Sequence, residues 1–198
     1  MRGLWLLVAV VGLALAAGDA RADIAAGDAA YNRGDYATAL AEWTPLAEAG
    51  DAEAQFDVAS MYQIGQGVPQ DYAEAVRWFR LAADQGHAMA QISLALMYDD
   101  GLGVAQDYAE AVRWWRRAAD QGVAVAQGNL ALLYALGRGV PRDYNTAHMW
   151  ANIAGANGNK DAPDVRDVIA ATMSSAEISE AQRQAKECLA SNYTRCDN

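Results

Sequence analysis

From residue 51 onward the apolar positions return with a helical rather than an alternating period. Ala54, Val58, Ala59 and Tyr62 keep the spacing that holds one stripe of a helix against a neighbour, and the same set recurs as Ala90, Leu94, Ala95, Tyr98 and as Ala126, Leu130, Ala131, Tyr134. Each of these predicted A helices runs into a glycine-punctuated loop: Gly65-Gln66-Gly67-Val68-Pro69, Gly101-Leu102-Gly103-Val104-Ala105 and Gly137-Arg138-Gly139-Val140-Pro141. Glycine ends a helix there at positive φ, and the valine can turn its side chain inward. A B helix follows, with Tyr72, Ala75, Val76, Phe79 and Ala82 in the first copy and Tyr108, Ala111, Val112, Trp115 and Ala118 in the second, up to Gly86, Gly122 and Gly158. The pattern predicts an all-α chain of helix-turn-helix units in which small alanines face large aromatics.

The units are internal repeats of 36 residues, 51–86, 87–122 and 123–158, and the first two agree at 24 of 36 positions. Asp71 with Glu74, and Asp107 with Glu110, have the spacing of a capping box; the third copy keeps Asp143 but has Thr146 in place of the glutamate. Residues 23–50 read as an abbreviated copy, because Asp35-Tyr36-Ala37 aligns with Asp71-Tyr72-Ala73 while five loop residues are missing. Such a shortened unit can cap the N-terminal end of a stack. Residues 159–198 are atypical at the other end. Pro163 suits a first helical turn, Val165, Val168 and Ile169 form an apolar stripe, and Ser174 with Glu177 again has capping-box spacing.

Composition agrees with helices: 45 of 198 residues are alanine, and 53% are hydrophobic. A net charge of −10 opposes attraction to phosphate backbones, so nucleic acid is not an expected partner. Residues 1–22 read as a signal peptide: Arg2, an uncharged run of 16 residues from Gly3 to Gly18, and the small-x-small site Ala20-Arg21-Ala22, with cleavage after Ala22. The run is shorter than the roughly 20 residues that span a bilayer, so no stable membrane span is expected after cleavage; a retained anchor is the alternative. Export to the periplasm or beyond would expose Cys188 and Cys196, the only cysteines, to an oxidising compartment. A disulfide between them is expected, two free thiols being the alternative.

The motifs A-Q-x(6)-Tyr, G-x-G-V and D-Y-x-x-A, present in all three copies, and A-x-x-G, which the third copy varies with Gly155, resemble Sel1-like repeats, relatives of the tetratricopeptide repeat. The abbreviated unit, with its turn Asn32-Arg33-Gly34-Asp35-Tyr36, resembles a tetratricopeptide unit. The resemblance implies a right-handed α-solenoid that acts as a non-enzymatic scaffold and holds a protein or peptide partner in a concave groove, an envelope sensor protein being one candidate. It implies no cofactor. In the related tetratricopeptide arrangement helix A positions two, five, nine, twelve and thirteen line the groove. Carried onto this chain they are Glu53, Phe56, Ser60, Gln63 and Ile64; Met89, Ile92, Leu96, Asp99 and Asp100; Val125, Gly128, Leu132, Ala135 and Leu136. The middle and last rows are apolar, with two carboxylates beside them, which suits a helix or peptide with apolar anchors and a basic flank. Phe56 and Ile92 could instead pack against the adjoining repeat, and Trp78, Trp114 and Trp150 read as packing residues.

Enzyme chemistry finds little support in the same residues. The two histidines, His87 and His148, have no second ligand at metal spacing, and no G-x-S-x-G, H-E-x-x-H or S-x-x-K constellation stands out. Asn157 to Asp161 superficially suggests a calcium loop, but Ala162 replaces the required glycine and Val168 the bidentate glutamate. A cell-wall-associated protein that binds or hydrolyses β-lactams or peptidoglycan fragments is the alternative function. It would resemble cysteine-rich relatives whose repeats are stapled by disulfides, whereas residues 51–158 contain no cysteine.

Overall fold

The computed structural model describes residues 24–196. The expected signal peptide and its cleavage site lie outside the described residues. Among these the chain is all-α. The helices are α1 (24–32), α2 (Tyr36–Glu48), α3 (Ala52–Ile64), α4 (Tyr72–Asp84), α5 (Ala88–Asp100), α6 (Tyr108–Ala119), α7 (Ala124–Leu136), α8 (Tyr144–Ala156), α9 (Ala162–Ala170) and α10 (Ser175–Ala190). They fall into two compact units, the first ending at Gln85 and the second beginning at Gly86.

Local chemistry fixes where each helix starts and stops. Asp71, Asp107 and Asp143 stand in extended backbone before α4, α6 and α8, and each side chain accepts hydrogen bonds from two first-turn amides. Asp51 accepts a single such bond for α3, from the Ala54 N–H at 2.9 Å, and the ring Nδ1 of His87 accepts one for α5 from the Ala90 N–H at 3.1 Å. Gly65, Gly101 and Gly137 close the A helices in the left-handed region, where a side chain would cost about 1–2 kcal/mol. The capping-box expectation holds in full for α10, where the Ser174 N–H donates to Glu177 and the Glu177 N–H to Ser174 Oγ. In α4 and α6 only the aspartate half of the box forms. The Asp71 and Asp107 N–H groups donate to the Tyr62 and Tyr98 carbonyls at 2.9 Å, so Glu74 and Glu110 accept instead from Arg77 and Arg113, each at 3.0 Å. In α8, Thr146 donates its hydroxyl to Asp143 at 2.7 Å.

In the first unit α3 packs on α2 and α4 around Trp43, Val58, Met61 and Phe79, and the Phe56 ring lies 5.6 Å from that of Phe79. In the second, α6, α7 and α8 pack in sequence, with α9 and α10 set against α8. Trp114, Trp115 and Trp150 are buried there, as expected of packing residues. Of the apolar stripe expected on α9, Ile169 is buried but Val168 stands in solvent, since the short helix turns only one narrow face inward.

Two devices bind successive hairpins. The second glycine of the loop lets chain cross chain: a Cβ on Gly67 would lie 2.7 Å from the Tyr36 carbonyl oxygen, and one on Gly139 only 2.2 Å from that of Tyr108. The glutamine of each A-Q pair is buried, and in Gln55 and Gln127 both ends of the amide are satisfied. Gln55 donates to the Ala47 carbonyl and accepts from Gln85, while Gln127 donates to the Ala119 carbonyl and accepts from Asn157. Gln91 accepts from Gln121 in the same way.

Candidate partner-binding faces

The A helices turn one face to their hairpin partners and leave another in water. Of the nine large apolar side chains exposed among the described residues, six occupy positions two, nine or thirteen of an A helix: Ile64, Met89, Leu96, Val125, Leu132 and Leu136. Leu96 and Leu132 are 45% and 43% exposed, whereas their neighbours Ala95 and Ala131 are fully buried. Exposed large apolar groups repeated in register are the mark of a surface that meets something else.

Position five behaves differently. Ile92 is only 8% exposed and belongs to the core, so it drops out of the expected groove; a position flanked by buried Gln91 faces inward once the helix is docked. Phe56, at the same register, is half-buried against Phe79. In α7 the position is Gly128, where a Cβ would meet the Asn159 amide nitrogen at 2.5 Å. Asp99 turns toward Arg138 at 3.8 Å, and Arg138 also donates to the Tyr108 hydroxyl at 2.6 Å and lies over its ring. Asp100 is exposed and Ser60 half-exposed, its hydroxyl donating to the Phe56 carbonyl.

Each unit has a hollow beside one of its A helices. In the second, a cavity of about 510 Å³ lies between α7 and the chain leading into α9, lined by Val125, Gly128, Leu132, Lys160 and Val165 among others. In the first, a cavity of about 330 Å³ lies between α1 and α3, with Phe56, Ser60 and Ile64 in its wall.

The residues weighed for other chemistry have structural work. Burial, with Arg166 nearby, holds the His148 imidazole below its ordinary range, and its Nδ1 lies 2.8 Å from the Asn152 amide nitrogen. Asn157 donates to Gln127 and to the Tyr193 hydroxyl, and Asn159 to the Ala124 carbonyl, so these side chains tie elements together. Among the described residues no group of three or more His, Cys, Asp or Glu could hold a metal ion. Cys188 and Cys196 form a disulfide that fastens the chain after α10. No helix among the described residues is long and apolar enough to cross a membrane.

Helix hairpins in tandem, joined by buried amides and carrying an apolar row on one helix of each pair, define an α-solenoid repeat protein whose surface is its working part. The Sel1 repeat model matches residues 52–87, 88–123 and 124–159, more than half of the chain, and the chain belongs to the Sel1 repeat family. The fold is similar to that of a Sel1 repeat protein from Oxalobacter formigenes, with a TM-score of 0.72 and 26% identity over 85% of this chain and 69% of that one. It is also similar to a protective antigen present in uropathogenic Escherichia coli strains and displaying an SLR fold, with a TM-score of 0.70 and 30% identity over 80% of this chain. The match spans only 35% of that antigen. No curated protein matches the chain. Sel1 repeat proteins generally mediate protein–protein interaction, and the scaffold is typically non-enzymatic.

Proposed function

We propose that this protein is an extracytoplasmic, non-enzymatic adaptor or regulator that holds a protein or peptide partner on the exposed face of its A helices. The observation that carries the reading is the register of Ile64, Met89, Leu96, Val125, Leu132 and Leu136, apolar side chains left in water at equivalent positions of successive helices. Within this reading Phe56 and Ser60 border the exposed A-helix face of the first unit, Asp99 and Asp100 that of the second, and the partner presents apolar anchors at helical spacing. Residues 23–50 and 159–198 close the two ends of the repeat array, which otherwise leaves an unpaired hairpin face at each terminus. The Cys188–Cys196 disulfide supports an oxidising compartment, as does the reading of residues 1–22 as a signal peptide. An envelope sensor protein is a partner of the right location.

The test is capture of envelope proteins by wild type, Leu96→Glu and Leu132→Glu in parallel. A partner retained by wild type and lost by both variants, with melting temperatures nearly unchanged, is the expected result. Equal capture by all three overturns the assignment of the face.

A further inference from the structure

The cavity of the first unit differs in chemistry from the leucine rows of the second. Three aromatic rings line it, Tyr31 from α1, Trp43 from α2 and Phe56 from α3, together with the carboxylates of Asp28 and Asp57. The Tyr31 and Trp43 rings lie 5.7 Å apart. Asp57 occupies position six of its A helix, where the second and third repeats have the neutral Ser93 and Asn129. It is half-buried, and no donor among the described residues reaches its carboxylate. The charges that act on it are all negative: Glu53 from its own helix, Asp28 from α1 and Asp51 from the cap of α3. The adjoining α2 brings Trp43 to the cavity and no charge.

We propose that this cavity seats one cationic side chain, arginine or lysine, of a partner polypeptide, with the cation lying against the aromatic walls and paired with Asp57 and Asp28. The proposal rests on the reading of the protein as a polypeptide binder and names the chemistry of one of its contacts. Aromatic faces attract cations electrostatically, more strongly where water is excluded, and a half-buried carboxylate without a donor lacks the partner that such groups ordinarily have. A volume of about 330 Å³ is at the small end of ligand sites, which fits a single long side chain. Arginine suits it better than lysine, because its planar fork both stacks on rings and pairs with two carboxylate oxygens. Burial first, then repulsion from Glu53, Asp28 and Asp51, pushes the Asp57 carboxyl up to about 7, so that in the free protein a proton competes for the place the cation would take.

The test titrates the full chain with N-acetyl-arginine amide, its neutral counterpart N-acetyl-citrulline amide, and the capped peptide Ala-Ala-Arg-Ala-Ala, following the Trp43 indole and Asp57 carboxyl signals by NMR. Expected are arginine binding at least tenfold tighter than citrulline binding, tightening between pH 6 and pH 8, a fall in the apparent Asp57 pKa on saturation, and the peptide binding at least as tightly as the amide. Asp57→Asn, which keeps the shape, weakens the arginine response at least tenfold, and Tyr31→Ala, at an exposed ring, weakens it severalfold. Equal binding of citrulline, an unaffected Asp57→Asn variant, or no response to either arginine compound overturns the proposal. Tighter binding of the free amide than of the peptide overturns the polypeptide source. Arginine binding without partner capture through the leucine rows refutes the adaptor reading alone; capture without an arginine response refutes this inference alone.

Discussion

Leu132 and Leu133 are adjacent on α7, identical in chemistry and opposite in surroundings, which makes Leu132→Glu and Leu133→Glu a matched pair. Leu132 is 43% exposed and Leu133 only 6%. Full burial of a leucine side chain is worth about 1.5–3 kcal/mol, so Leu132 still has about 0.6–1.3 kcal/mol to gain when a partner covers it. A carboxylate in its place forfeits that and leaves a charged group facing an apolar anchor, which costs about 1–3 kcal/mol more. Partner affinity should therefore fall by more than tenfold, since tenfold is about 1.4 kcal/mol. The fold should lose about 1 kcal/mol or less, because the glutamate stem covers part of what the leucine covered and its head reaches water. That is a drop of a few degrees at most in a chain of this length. Leu133→Glu loses nearly the whole burial term and adds the several kcal/mol of desolvating a charge without a partner, enough to unfold the second unit. Circular-dichroism melts read the stability arm, and capture from the envelope fraction reads the binding arm. If both variants melt early together, or if Leu132→Glu still captures the partner, the face has been assigned to the wrong side of the helix.

The loop crossing gives a second pair: Gly139→Ala should lower the melting temperature well beyond Gly158→Ala, since both have positive φ but only the first places a Cβ 2.2 Å from a backbone oxygen. Overpacking of this kind adds about 1–3 kcal/mol to the strain the two share, and matched melts read the difference. Cys196→Ser should cost about 2–3 kcal/mol by releasing an eight-residue separation at the tail, and should free Tyr193 from Asn157; melts and limited proteolysis of the tail report both, whereas unreduced protein with two titratable thiols would contradict the pairing. Because the Asp57 carboxyl is raised from 3.8 to about 7, the folded chain binds the extra proton between those values, and the contribution of Asp57 to stability declines as pH rises through that window. Asp57→Asn should thus stabilise the protein more at pH 8 than at pH 4.5, and a constant gain would remove the argument. His148 runs the other way: its lowered pKa means that stability is present above 6.5 and lost as pH falls below it, an acid loss that His148→Gln should blunt in melts at pH 7.5 and 5.5.

What the sequence settled by itself was whatever depends on neighbours within a few residues. Asp71, Asp107 and Asp143 cap their helices because an acceptor two or three residues before an orphan amide needs no distant partner, and Gly65, Gly101 and Gly137 end theirs because positive φ is a property of the residue alone. Threefold recurrence then made the all-α repeat class legible, since units that agree in register must stack alike. The apolar positions two, nine and thirteen of the A helices were likewise readable, once the family register was carried over. Tertiary structure decided the rest. Ile92 and Leu96 are both apolar and one turn apart, and only the docking angle of α5 buries one and leaves the other in water. Glu74 had the spacing of a capping box, but the Asp71 N–H it would have met donates to the Tyr62 carbonyl of α3. Gln55 and Gln127 could not be distinguished from surface amides until packing brought carbonyls and partner amides eight and thirty residues away onto them. Asp57 gave only partial local signs, a like charge one turn back at Glu53 and neutral residues at its position in the other repeats. Its main character comes from burial, as α1 and α2 close over it, and from Asp28 on α1, and these are quantities that a linear pattern does not carry.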